Sequence, residues 1–169
     1  GADLSVSSGM DLFYPIGLGS QRELRTIVFN FGPDPAPPDA RLRISVPAGL
    51  DVQSVTPGPP TCQLEGSELA CDIGGLPGHF GSFLVSLDTV VLVAGPATLT
   101  GNTSATSSAF DFNPGNNSMR IKIPVSQVCS IDSALAVPEG DTGMADAVFT
   151  LRRSGPLGSS DSVYYAVAQ

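Results

Sequence analysis

Turn-forming residues cut this chain into pieces that suit short strands and little else. Clusters recur at Gly32-Pro33-Asp34-Pro35, Pro47-Ala48-Gly49, Pro57-Gly58-Pro59-Pro60, Gly74-Gly75 and Asn113-Pro114-Gly115-Asn116-Asn117. Gly and Pro break helices and mark loops, and here they make up about a fifth of the 169 residues. Between the clusters apolar residues alternate with period two, the spacing of a half-buried strand. Leu42, Ile44 and Val46 alternate with Arg41, Arg43 and Ser45. Phe83, Val85 and Leu87 alternate with Leu84, Ser86 and Asp88, and Ile121 and Ile123 flank Lys122. Several short strands at this spacing predict an all-β fold, an immunoglobulin-like β-sandwich.

The charge balance narrows the partners. Eight Lys and Arg face sixteen Asp and Glu, a net charge of −8. Phosphate binding needs a basic stripe, and none is present, so no nucleic acid is expected as a partner. The longest apolar run, Phe83 to Ala94, is interrupted by Ser86, Asp88 and Thr89. It falls short of the ~20 residues of a membrane helix, so no membrane insertion is expected. No basic start followed by an apolar stretch marks a signal peptide.

The segment Cys62 to Cys71 is the sharpest local signal. Gly66-Ser67 lies between Glu65 and Glu68, and Gly at the first central position suits a two-residue type II′ turn. That turn pairs Glu65 with Glu68, Leu64 with Leu69, Gln63 with Ala70, and Cys62 with Cys71. Alternation makes the cysteines a non-hydrogen-bonded pair, the closest kind, within reach of a disulfide. The alternatives are two reduced core cysteines, or a metal pair short of ligands. A disulfide implies an oxidising compartment.

One strand breaks the half-buried rule. In Leu24 to Phe31, Leu24, Thr26 and Val28 share one face while Ile27, Phe29 and Phe31 share the other. Two apolar faces imply a cover over the second: a local loop or the N-terminal segment, or another domain or subunit. Ile27, Phe29 and Phe31 are therefore candidate assembly contacts. Beyond Val125 to Ser133 the texture changes, and a unit of about 40 residues follows. Its last strand sets Val163, Tyr165 and Val167 against Tyr164 and Ala166. Two or three strands cannot bury a core alone, so Val163, Tyr165 and Val167 are the second set of candidate assembly contacts.

Residues 1–126 resemble the bacterial immunoglobulin-like conserved repeat domain, catalogued as domain of unknown function eleven. The carriers are Ala2-Asp3-Leu4-Ser5-Val6, Asn30-Phe31-Gly32-Pro33, Val46-Pro47-Ala48-Gly49-Leu50, the cysteine hairpin, and Asp111-Phe112-Asn113-Pro114-Gly115-Asn116-Asn117-Ser118. Residues 127–169 resemble the first half of a Calx-β domain, through Val137-Pro138-Glu139-Gly140 and Val163-Tyr164-Tyr165-Ala166. The resemblances imply a sandwich followed by an incomplete second sandwich, in a secreted or surface protein built of tandem modules. Calcium-binding Calx-β members use a Glu matching Glu139 as a ligand. Their further acidic ligands would fall after Gln169, so calcium is not expected here, and no other cofactor or metal is.

Single residues point to structure rather than catalysis. His79, the one histidine, reads as a surface loop residue, with no nucleophile signature to serve. Asp111, Asn113, Asn116 and Asn117 do not have the spacing of an EF-hand loop and read as turn formers. Asn102-Thr103-Ser104 and Asn116-Asn117-Ser118 match a glycosylation acceptor pattern. Lys122 points outward by alternation. Cys129, the odd cysteine, reads as a buried thiol, a partner for a cysteine elsewhere, or an intersubunit link. Phe80 and Phe83 are expected in the core. Together these features predict no enzyme. They predict a non-enzymatic extracellular structural module, a subunit of a fibre or filament assembled by β-strand complementation, whose partners are copies of itself or adjacent modules. The alternative is an adhesin-type module that binds a glycan or protein.

Overall fold

The computed structural model describes residues 1–12, 15–127, 129–131 and 150–153. Nine strands make two antiparallel sheets. They are β1 (Leu4–Met10), β2 (Gln21–Asn30), β3 (Arg41–Ser45), β4 (Leu50–Thr56), β5 (Cys62–Glu65), β6 (Glu68–Asp72), β7 (Gly81–Val91), β8 (Ala97–Thr106) and β9 (Ser118–Val125). One sheet has the order β1-β2-β7-β4 and the other β5-β6-β3-β8-β9. Two such sheets, filled from their inner faces, form a β-sandwich. Two further strands, β10 (Cys129–Ile131) and β11 (Leu151–Arg153), pair as a separate ladder. Glu139, Val163, Tyr165 and Val167 lie outside the described residues, as does most of the expected Calx-β-like unit.

The alternation read from the sequence chooses the inner faces. Leu24, Thr26 and Val28 of β2, Val85 and Leu87 of β7, and Leu42 and Ile44 of β3 are all buried. On β9, Ile121 and Ile123 point inward while Lys122 is exposed. The cysteine hairpin has the expected register, Cys62 opposite Cys71 and Glu65 opposite Glu68. Cys62 and Cys71 are joined in a disulfide and both are buried. Gly66 has a φ of 61°, the left-handed conformation that the first position of a II′ turn requires and glycine adopts freely.

The edges of the sandwich are blunted. β5 is four residues long, and β4 carries an irregularity between Val52 and Ser54. Both are recurrent ways to stop lateral pairing of sheets. The chain enters β1 at one end of the sandwich, where Leu4 pairs with Asn30. It leaves β9 at the other end, where Val125 pairs with Ala97 and Ser126 N bonds Ile16 O at 2.6 Å.

Asp111 holds the entry. Its carboxylate accepts from Leu4 N (2.9 Å), Asn113 N (2.7 Å) and Asn117 Nδ2 (3.0 Å), and Ala2 bridges to Asp111 in parallel. The Asp-Phe-Asn-Pro-Gly-Asn-Asn segment therefore shapes its own turn, as its residues imply, and also latches a strand 107 positions away. Asp111→Ala removes three charge-assisted bonds at a part-buried site. It should lower stability by about 2 kcal/mol, read as a fall of several degrees in thermal melting. An unchanged melting temperature would show the latch is idle.

Candidate functional site: an exposed aromatic face

The outer face of the four-stranded sheet carries an apolar run that the core does not claim. Ile27 and Phe29 on β2 are half-buried and Phe31, just past its end, is 43% exposed. Their cross-strand neighbours are Ser7 and Ser5 on β1, and Leu84 and Ser82 on β7. The N-terminal strand thus lies beside β2 and offers only serines, so it does not cover these side chains. Leu84 is exposed and extends the apolar face onto β7.

Phe80 completes it. The sequence reading puts Phe80 in the core with Phe83, and the structure corrects that. Phe83 does pack against the core, but Phe80 is 73% exposed. The ring of Phe31 stacks on Phe29 with centroids 5.5 Å apart and interplanar angle 14°. Phe80 meets Phe31 edge-on, also at 5.5 Å. Stacked and edge-to-face pairs of this kind are favourable beyond their buried area.

Asn30 builds this arrangement from beneath. It is fully buried at the end of β2. Its Oδ1 accepts from Asp3 N and Gly32 N, each 3.1 Å, and its Nδ2 donates to Asp34 O (2.8 Å) and Leu76 O (3.2 Å). An amide can fill two acceptor and two donor positions, and here all four are used. Its main chain reaches further, since Phe80 N donates to Asn30 O (2.9 Å) and His79 N to Gly32 O (2.9 Å). The loops on either side of Phe31 and Phe80 touch backbone to backbone: a Cβ on Gly78 would lie 2.4 Å from Pro33 O.

The same bonds impose strain. His79 and Phe80 have φ values of 56° and 74°, a region that costs side-chain-bearing residues on the order of 1–2 kcal/mol each. His79 is exposed, as the sequence implies, and holds Phe80 outward through its backbone. His79→Gly should relieve that conformation at the cost of some unfolded-chain entropy. The expected net is a gain of about 0.5 kcal/mol, seen as a melting temperature one or two degrees higher. A drop would show that His79 is not strained in solution.

Charges surround the face rather than enter it. The Asp34 carboxyl, exposed, is held below the usual carboxylate range by its hydrogen bond to the Gly1 ammonium 2.7 Å away and by that positive charge. Glu23 is lowered likewise, chiefly by its hydrogen bonds from Arg25 and then Ser86. A depressed carboxyl adds stability above its unfolded value and loses it as pH falls through the folded one. At such exposed sites solvent screening keeps the effect small. Both groups are ionised at neutral pH.

Among the described residues no group of three or more His, Cys, Asp and Glu could hold a metal ion, and no helix is long and apolar enough to cross a membrane. Cys129 is exposed on β10, which removes the buried-thiol reading. The three candidate contacts Ile27, Phe29 and Phe31 are brought together; Phe80 and Leu84 are added by the fold. Leu84 had a readable signal, an apolar residue on the wrong side of its alternation. Phe80 had none, because its exposure depends on tertiary bonds that set φ. Neither a known family model nor a curated protein matches the chain, so the geometry carries the functional reading.

Proposed function

We propose that this chain is a non-enzymatic structural module of an extracellular surface protein, a unit of a fibre or filament whose partners are copies of itself or neighbouring modules. The observation that carries this reading is the aromatic face of Ile27, Phe29, Phe31 and Phe80. Solvent-facing apolar patches of this kind mark protein contacts, and this one is held open by a buried hydrogen-bond network and a strained backbone. The Cys62–Cys71 disulfide fits an oxidising, extracellular setting. Strand complementation rests on the sequence alternation of Val163, Tyr165 and Val167 with Tyr164 and Ala166, the pattern of a strand with one apolar side.

An adhesin-type module is the second reading, favoured by the same exposed rings. Phenylalanine offers no hydroxyl or indole N–H, so an apolar protein surface suits it better than a glycan. Light scattering of the 169-residue chain across a concentration series separates the readings. Polymers that Val163→Asp or Tyr165→Asp disperses support the fibre. A chain that stays monomeric but binds on a glycan array supports the adhesin, and reproducible enzymatic turnover lost in His79→Ala would defeat both.

A further inference from the structure

Strands β1 and β2 carry unequal side chains on the outer face of their sheet. Three successive cross-strand pairs there are Ser5↔Phe29, Ser7↔Ile27 and Gly9↔Arg25. Every β2 member is large and every β1 member is small, so a ridge runs beside a trough. Gly9 is the sharpest feature of the trough. Glycine weakens a strand, and inside one it marks a bulge, a bend or the close approach of another group. The β1–β2 register passes through Gly9 without a shift, and its φ is not positive. A Cβ on it would meet nothing within 4 Å. Among the described residues, then, nothing requires a glycine at this position. The space above it is open, and only a group from outside the fold would use it.

We infer that this face is covered by the same face of a second copy, with a two-fold axis running along the strands between β1 and β2. The inference rests on the structural-module reading, to whose aromatic face it assigns a partner, but not on strand donation. Such an axis keeps each residue at its own level and exchanges the two strands. Phe29, Ile27 and Arg25 of each copy then stand over Ser5, Ser7 and Gly9 of the other, and ridge fills trough twice. An axis across the strands through Ile27 would set ridge on ridge, with Phe29 over Arg25. Arg25 enters the contact already paired, its guanidinium 2.7 Å from the Glu23 carboxylate. Leu84, 49% exposed and level with Ile27, overhangs the other copy's β1 edge. At that edge Met119 is 39% exposed, and its sulfur accepts from Ser8 N at 3.3 Å. The match stops at both ends. β1 ends at Met10, and Phe31 stands level with Asp3, which leaves Phe31 and Phe80 as the rim.

Size makes fit decisive. Ridge, trough, Leu84 and rim together offer ~500 Å² per copy, about 1,000 Å² in all. That is the least a specific interface needs, and it suffices only with good complementarity. The dimer is therefore reversible, with dissociation in the micromolar range. A two-fold contact uses the same patch on both copies and so closes on itself. Growth through this face stops at the dimer, and modules strung end to end would be paired side by side.

Sedimentation and light scattering of the whole chain test this, with circular dichroism to check that each variant is folded. The same series in a Val163→Asp background removes polymers made by strand donation and should leave the dimer. Ser7→Ile fills the trough while adding exposed apolar surface. It should weaken the dimer tenfold or more; a face that is merely sticky would associate more strongly, which would overturn the inference. Adding Ile27→Ser exchanges ridge and trough at that level, and dimerisation should return to within about threefold of wild type, a coupling that two independent sites would not show. Gly9→Tyr should split two readouts. Melting of the dilute protein should hold or rise, because Tyr suits a strand better than Gly, while dimerisation falls tenfold or more. Association untouched by Ser7→Ile and Gly9→Tyr but abolished by Val163→Asp would overturn the inference and leave the fibre reading in place. Wild type that stays monomeric at every concentration would defeat both.

Discussion

Asn30→Ala should be among the most damaging single changes in the sandwich, lowering stability by about 3–4 kcal/mol. The amide is fully buried and holds four main-chain groups. Its removal leaves the N–H groups of Asp3 and Gly32 without an acceptor and the carbonyls of Asp34 and Leu76 without a donor; the bonds to Gly32 and Leu76 are buried and the other two part-buried. The cost is that of unmade bonds, which exceeds the net worth of the same bonds when formed. Thermal melting should fall by roughly 10 °C. The damage should also be local, with the amides of Phe31, Gly32 and Phe80 losing hydrogen-exchange protection before those of β3 or β8. A melting temperature within a degree or two of wild type would show that water or a neighbouring side chain replaces the amide.

Breaking the disulfide comes next in size. Cys62→Ser or reduction should cost ~2.5–3 kcal/mol on the chain-entropy model for a loop of about ten residues. The two cysteines sit nine apart with Cα atoms 4.1 Å apart, and both are buried. The bond fastens an edge strand of four residues to β6. Without it that strand is held by a short ladder whose outermost pair, Glu65 opposite Glu68, repels. The sandwich itself should persist, because β6, β3, β8 and β9 remain paired. Reduced wild type and the Cys62→Ser, Cys71→Ser double variant should melt at the same temperature, below the oxidised protein. Equal melting of oxidised and reduced wild type would show that the crosslink adds nothing.

How much of this is legible in the sequence depends on what fixes each feature. Alternation of Leu42 with Ile44, of Val85 with Leu87, and of Ile121 with Ile123 states which side faces the core, and the structure has those sides. The hairpin register follows from one glycine and a two-residue loop, both local. Ile27, Phe29 and Phe31 announce an outward apolar face because a strand can bury only one side cheaply. The features that escape are those made by distant partners. Phe80 sits in Gly78-His79-Phe80-Gly81, which reads as an ordinary loop with an inward ring. The acceptors on Asn30 and Gly32 turn it outward. Asn30 itself looks like a strand end, and its four partners come from three segments: Asp3 before β1, Gly32 and Asp34 in the loop after β2, and Leu76 before β7. β4 is also faint, since Leu50–Thr56 mixes apolar and polar residues around an irregularity. The expected Calx-β-like unit after residue 126 is described only at Cys129–Ile131 and Leu151–Arg153, so the reading of Val163, Tyr165 and Val167 rests on the assembly experiments.

The chain enters β1 at one end of the sandwich and leaves β9 at the other, and this decides how the module bears tension. A pull applied at Leu4 and Val125 runs along the strands rather than across them. The seven cross-strand pairs from Leu4↔Asn30 to Met10↔Leu24 are then loaded in shear and must give way together, instead of unzipping one after another. Asp111 and Asn30 clamp the loaded end, the first through Leu4 N and the second through Asp3 N. Single-molecule stretching between residues 4 and 125 should therefore meet a high, single rupture force. Pulling between residue 4 and Asn30, which peels β1 away pair by pair, should meet a much lower one. A module strung in a chain under flow or traction would transmit load through its longest dimension.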